Sequence, residues 1–423
     1  MDRFCFFLLS LLGVCLFNAS LSAQEDTYNA TYLEFVRSVR FYPAANELAE
    51  PVLRLGQGGS LILSFDDLSG DNNNYWYVLE QRNADWSPGQ LSEFEWLQGF
   101  NNNRIEQQSF SFAARAQYMH HRLVIPNREV SITKSGNYLL KVYLKGDELA
   151  LVRRFMVVEN QVVILPITRQ AAMVEKARTH QEIDFSVDLK KLEVRNPRQE
   201  IRAAIVQNGY WQQAVSGIEP FFIRDRILDF DYQDRLAFPA GREFRFFDLR
   251  SLINRSERIM DMQQTAYQTD VYLVPDRGRA YNAYLFNPDA NGKFVIQNFD
   301  IGDQADIYAD YANIHFTYEK PLPFDGADLY VLGAFNDFRP WTEYRMEYSE
   351  ADRAYHLNVM LKQGYYNYAY GLVSEDSPLP DFSETEGNWY ETENDYLILV
   401  YYRSIGERYD RIIGARSFKA FER

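Results

Sequence analysis

Cysteine is nearly absent from this 423-residue chain: there are two, Cys5 and Cys15, both in an N-terminal apolar run. Beyond that run no disulfide, thiolate metal site or thiol nucleophile can form. Histidine is scarce too, with five residues. His120 and His121 are adjacent, so on a strand they face opposite sides and do not share a metal. His315 and His356 fall in strand-like segments. A structural role is the simpler reading for these and for His180, because a metal site needs three or four convergent ligands. HExxH, Gly-x-Ser-x-Gly and glycine-rich phosphate loops are all missing. Carboxylate pairs abound among 59 acidic residues, but none stands out as a glycosidase pair. The reading is a protein with no catalytic residues, no cofactor site and no metal site, hence not an enzyme.

Basic charge is in deficit: 44 Lys and Arg stand against 59 Asp and Glu, a net charge of −15. That balance argues against a nucleic-acid partner and against adsorption to anionic lipid. Apolar runs long enough to span a bilayer as a helix are missing, as is the sustained ten-residue alternation of an outer-membrane barrel. The apolar run at the N-terminus, Phe4 to Phe17, is about six residues too short for a span. With Met1-Asp2-Arg3 before it and Ser20-Leu21-Ser22-Ala23 after it, it predicts a signal peptide over residues 1–23. Cleavage there removes both cysteines. Leu12-Gly13-Val14-Cys15 is a rival lipoprotein box, with Val14 where a small residue is wanted. An exported chain without cysteine suits a bacterial envelope, where a long chain buries enough apolar surface without staples.

Aromatic residues are plentiful, 30 Tyr and 30 Phe, and Tyr suits strands buried on one side. Short strand-like segments recur between Gly, Pro, Asn and Asp turns: Leu61 to Phe65, Tyr75 to Leu79, Tyr138 to Leu144, Ile201 to Val206, Ile314 to Tyr318, Leu329 to Leu332 and Tyr396 to Tyr402. This pattern predicts an all-β protein of tandem immunoglobulin-like β-sandwich domains. The punctuation divides it into residues 28–160, a middle β-rich domain over 161–306, and a C-terminal early-set-like sandwich over 307–423. The best helix candidate is Gln170 to Ala177, whose Ala, Met, Glu and Lys are good helix formers.

Two acidic stretches invite a calcium reading. Asp289-Ala290-Asn291-Gly292 reads as a hairpin turn, since Asn-Gly alone suffices for one. Asp66-Asp67 with Asp71-Asn72-Asn73-Asn74 reads as a solvated loop, because nothing fixes six ligands around one point. Large aromatics crowd between Tyr75 and Phe100. Core is the default for these, but Trp86 sits beside a Pro-Gly turn, where exposure is expected. Trp86 and Trp96 are the candidate partner-contact residues; the rest of such a surface is not legible.

An ordered series of motifs then resembles one family. Leu63-Ser64-Phe65-Asp66-Asp67-Leu68, Asp85-Trp86-Ser87-Pro88, Leu97-Gln98-Gly99-Phe100, Ser135-Gly136-Asn137-Tyr138-Leu139-Leu140, Arg153-Arg154-Phe155-Met156-Val157, Lys362-Gln363-Gly364-Tyr365-Tyr366-Asn367-Tyr368 and Glu391-Thr392-Glu393-Asn394-Asp395-Tyr396 together resemble the type IX secretion system plug proteins of Bacteroidota. Gln81-Arg82 departs from it, standing where the family is expected to carry a His-Cys-like pair. The resemblance implies a periplasmic protein held at the outer membrane through its partner, a large outer-membrane β-barrel translocon whose periplasmic opening it seals. It implies no cofactor, nucleic acid or small-molecule substrate. The segment Leu329 to Phe338 and the Lys362–Tyr368 run are also similar to glycogen-binding-type modules. That likeness implies the alternative function, a carbohydrate-binding envelope protein, with Trp341 and Trp389 available to stack sugars.

Overall fold

The structure, a computed structural model, describes residues 27–302 and 304–422. The signal-peptide expectation and both cysteines lie outside them. Among the described residues the three α-helices, Glu93–Trp96, Pro197–Glu200 and Ala305–Tyr308, have four residues each. None is long and apolar enough to cross a membrane. The remaining regular structure among the described residues is strand, apart from three short 3₁₀ turns.

The first sandwich packs two sheets. One contains Glu148–Val158, Gly136–Leu144 and Tyr75–Arg82; the other contains Val36–Pro43, Leu61–Asp67, Met119–Ile125 and Gln107–Phe110. Alternation puts Leu61, Leu63 and Phe65 on the inner face of one sheet, opposite Tyr75, Tyr77 and Leu79 on the other. Several of its strands are buried on both faces. Along Glu148–Val158, Leu151, Phe155 and Val157 fill the sandwich core, whereas Val152, Met156 and Val158 point into a second cluster outside it.

That second cluster joins the first sandwich to the next. Its other half comes from Ala204 and Val206, on Ile201–Gln207, and from Leu397, Leu399 and Tyr401, on Asn394–Tyr402. The alternate residues of those two strands, Ile201, Ala203, Ile205, Tyr396, Ile398 and Val400, enter the core of the second sandwich. Its opposite sheet holds Val163–Gln170, His180–Asp188, Ile227–Phe230 and Phe222–Arg224.

A third sandwich gathers Phe247 through Leu372 around one core. Gly364–Ser374 is its central strand, pairing with Arg245–Asp248, Phe294–Ile296 and Ala327–Leu332. The pairings therefore do not follow a linear cut at residue 306. Arg245–Asp248, from the middle of the chain, joins a sheet with Gly364–Ser374, and Ile201–Gln207 pairs with Asn394–Tyr402. The third sandwich is thus inserted in the second, whose final strands return after it. Ile201–Gln207 is apolar on both faces: strands close in sequence, such as His180–Asp188, cover one, and Val152, Met156 and Val158 of the first sandwich help cover the other.

The expected helix over Gln170 to Ala177 does not form. Gln170 ends the strand Val163–Gln170, and the chain turns through residues 171–179 before the strand His180–Asp188 begins. Antiparallel pairing of those two strands, Gln170 opposite Gln181, makes this stretch a hairpin connection and overrides its helix propensity.

Candidate interaction surface and its buried scaffold

Both tryptophans singled out from the sequence are interior. Trp96, on the short helix Glu93–Trp96, is 4 % exposed and packs on Tyr138 at 5.4 Å. Trp86 is 7 % exposed and meets Trp211 of the second sandwich edge to face at 5.2 Å. The Arg154 guanidinium lies 4.0 Å from the Trp86 ring and 5.2 Å from Trp211. Edge-to-face pairs and cation–π contacts of this kind contribute about 1 kcal/mol each beyond area burial. The Pro-Gly turn was a poor guide to Trp86. Its φ of 66° turns the side chain inward, against the neighbouring sandwich. Neither tryptophan can meet an external partner without the fold opening.

Two aromatic residues that do reach solvent flank Trp96. Phe94 is 90 % exposed and Phe100 78 %. Asn101 links their two segments, donating 3.0 Å to Glu93 and 2.8 Å to the Leu79 carbonyl. Gly99 makes the bend before Phe100 possible. Its φ is +107°, and a Cβ there would stand 1.8 Å from the Glu129 carbonyl oxygen. A second exposed apolar stretch bridges the first and third sandwiches. The Phe112 amide donates to the Ile307 carbonyl at 2.8 Å and its ring packs on Tyr308 at 5.3 Å. Close by along the chain, Phe299 and Ile301 are exposed, and Ile253 joins them through the Leu252 amide on Asp300. Exposed apolar groups in such concentration mark surfaces that meet another molecule. The sequence signal that finds Phe94 is its place beside Trp96 on one helical turn, which cannot bury both.

Beneath this surface the first and third sandwiches are locked by a buried polar cluster. Asp66, on Leu61–Asp67, lies 2.5 Å from Lys362 Nζ, at the end of Ala354–Lys362. Asp66 also lies 2.7 Å from His120 Nδ1 and accepts 2.7 Å from the Tyr311 hydroxyl. Burial pushes the Asp66 carboxyl up, but Lys362 and His120 outweigh it and hold it below the usual range. Lys362 also donates to the Asp306 carbonyl at 2.7 Å and sits 4.1 Å over the Tyr118 ring. Arg40 pairs with the Asp306 carboxylate. The solvated-loop reading of Asp66-Asp67 is therefore wrong: both are interior, and Asp67 accepts 2.9 Å from Asn73 and 2.8 Å from Tyr75.

His121 faces the opposite side of its strand from His120, as adjacency predicted. It stacks on Phe65 at 5.0 Å. Asn291 and Gly292, at φ 51° and 81°, form a turn before Phe294–Ile296. Gln81 and Arg82 are both buried, Arg82 paired with Glu80. Trp341 is half-buried under Tyr32 of the first sandwich, 6.4 Å away edge to face, with Arg339 4.5 Å over its ring. Trp389 is half-buried against Tyr284 at 6.0 Å.

Among the described residues one trio has metal-ligand spacing: carboxylate oxygens of Glu182, Asp184 and Asp231 lie within 4.8 Å of one another.

The fold and surface together define an all-β protein of interlocked sandwiches with exposed apolar rims. Residues 36–159 match the family model described as type 9 secretion system plug protein 1st domain. That match covers the first sandwich and supports a type IX secretion system plug-family protein. A plug-protein domain suggests association with the secretion machinery and an envelope location. A search of curated proteins finds no match. The crystal structure of a hypothetical protein from Parabacteroides merdae ATCC 43184 is similar over 94 % of this chain and 100 % of that one, at 29 % identity and a TM-score of 0.89.

Proposed function

We propose that this protein is a periplasmic plug that binds and seals the periplasmic opening of the outer-membrane translocon of the type IX secretion system. The observation that carries the reading is the plug-protein first domain over residues 36–159. The build supports it. A stopper must resist deformation, and here the first sandwich is fastened to the second through Trp86, Trp211 and Arg154 and to the third through Asp66 and Lys362. It must also offer an interface, and Phe94, Phe100 and Phe112 are exposed on the same domain. No chemistry is required of it.

The test is affinity capture of the tagged protein from detergent-solubilised membranes of its own host, with the eluate identified by mass spectrometry. A large outer-membrane barrel in near-equal amount is the expected result. An eluate without any membrane protein, even after cross-linking in cells, overturns the reading.

A further inference from the structure

The second sandwich carries a charge imbalance on the outer face of one sheet. Ile183 and Phe185 on His180–Asp188 point into the core, so Glu182 and Asp184 between and beside them point the other way. Asp231 follows directly on the adjacent strand, Ile227–Phe230. Among the described residues one cation reaches the trio: Arg169, across the pairing from Glu182, with its guanidinium 2.8 Å from Asp184 Oδ2. Asp229, on the same face, is already matched by Arg224 at 2.6 Å and Ser186 at 2.7 Å. Glu182 accepts the Ala172 amide at 2.8 Å through one oxygen. Three carboxylates thus face a single guanidinium.

Asp184 is the independent sign that something is bound. It is 3 % exposed, and its Oδ1 has no hydrogen-bond donor. A carboxylate buried with one oxygen unmatched either takes a proton or gains a cation. It lines a groove walled by Ile167 and Phe222 and open to solvent beside Asp231. The trio's spread of 4.8 Å is what oxygens sharing one ion at about 2.4 Å can span.

We propose that Glu182, Asp184 and Asp231 bind a divalent cation, calcium by the chemistry of an all-oxygen, carboxylate-rich ligand set. Arg169 leaves the trio with two uncompensated negative charges, which one divalent ion cancels. Water supplies the remaining positions through the exposed side at Asp231. The ion would tie the strand His180–Asp188 to the segment after Ile227–Phe230. This site is separate from the proposed plugging function and stands or falls without it.

The test uses the full chain stripped with EDTA and titrated with CaCl2 in a calorimeter, with thermal unfolding followed in parallel. The expected result is one saturable site per chain and a melting temperature that rises with CaCl2 and falls back on adding EDTA. Asp184→Asn and Asp231→Asn should each weaken binding at least tenfold, to about the level that losing one charged ligand implies. Asp328→Asn, a surface carboxylate on another sandwich, should leave it unchanged. Asp231 is exposed, so its variant remains informative even if Asp184→Asn fails to fold. No saturable heat with the wild type overturns the proposal, as does equal loss in Asp328→Asn. A melting temperature that ignores CaCl2 while the Asp184→Asn variant changes the pH dependence overturns it in favour of a bound proton.

Discussion

Lys362 and Asp66 lie 2.5 Å apart, each 1 % exposed, although 296 residues separate them along the chain. The pair closes the junction between the first and third sandwiches. Removing one member of such a pair strands a buried charge, which costs about 3–5 kcal/mol. Lys362→Met should therefore lower the urea midpoint by that equivalent with an unchanged m value, and adding Asp66→Asn should restore part of it. A loss under about 1 kcal/mol would show the junction to be held by other contacts.

Trp86 makes the corresponding contact with the second sandwich. Trp86→Ala removes a ring packed on Trp211 and Arg154, and should destabilise by about 3–5 kcal/mol. Because the cavity opens between two sandwiches, limited proteolysis should cut the variant faster at the segment joining them, near residue 160. Wild-type resistance in the variant argues against the role.

Phe94 and Phe100 are expected to behave in the opposite way. Their substitution by Ala should shift stability by no more than about 0.5 kcal/mol, because both rings are in solvent. Capture of the translocon barrel should fall at least tenfold in the double variant if this rim lies in the interface, about 1.4 kcal/mol. Undiminished capture moves the interface elsewhere.

His121 sets an acid limit. Burial among Phe65 and Tyr75 pushes its imidazole down to about 4, so the folded state keeps it neutral while the unfolded chain takes a proton below about 6.5. The stabilisation present above pH 6.5 is lost as pH falls from there to about 4, roughly 3 kcal/mol in all. Asp184, raised to about 6 by burial and by Asp231, and Asp289, raised to about 7 by burial, act in the opposite direction over the same range. The readout is therefore a difference: His121→Leu should lose less stability than wild type between pH 6.5 and 4. Parallel curves would mean the imidazole is not the responsible group.

The net charge of −15 leads to a kinetic expectation. If it steers the protein to basic loops at a barrel mouth, raising salt should slow association with the purified translocon and leave dissociation nearly constant. An association rate indifferent to salt removes charge steering from the account.

The strands were legible because alternation and turn residues are local signals. Tyr75 to Leu79 and Tyr396 to Tyr402 could be marked without knowing their neighbours. The same reading misjudged Trp86 and Asp66 for one reason. Exposure depends on what covers a residue, and here the cover is Trp211 in one case and Lys362 in the other, both from distant sequence. The acidic trio escaped notice in the same manner: Glu182 and Asp184 are two apart on one strand, but Asp231 joins them only through sheet pairing.

The sequence by itself determined the class of protein. Its scarcity of cysteine, its acidic balance and its many short aromatic strands specify an all-β body, and its ordered motifs point to the plug family. Tertiary structure alone decided how the sandwiches are threaded and fastened. Strands apolar on both faces, such as Ile201–Gln207, accept any partner that buries them, and local pattern does not name it. Long-range packing selects Asn394–Tyr402, nests one sandwich within another, and turns Trp86 and Asp66 from surface candidates into joints of the molecule, with Lys362 as the partner of Asp66.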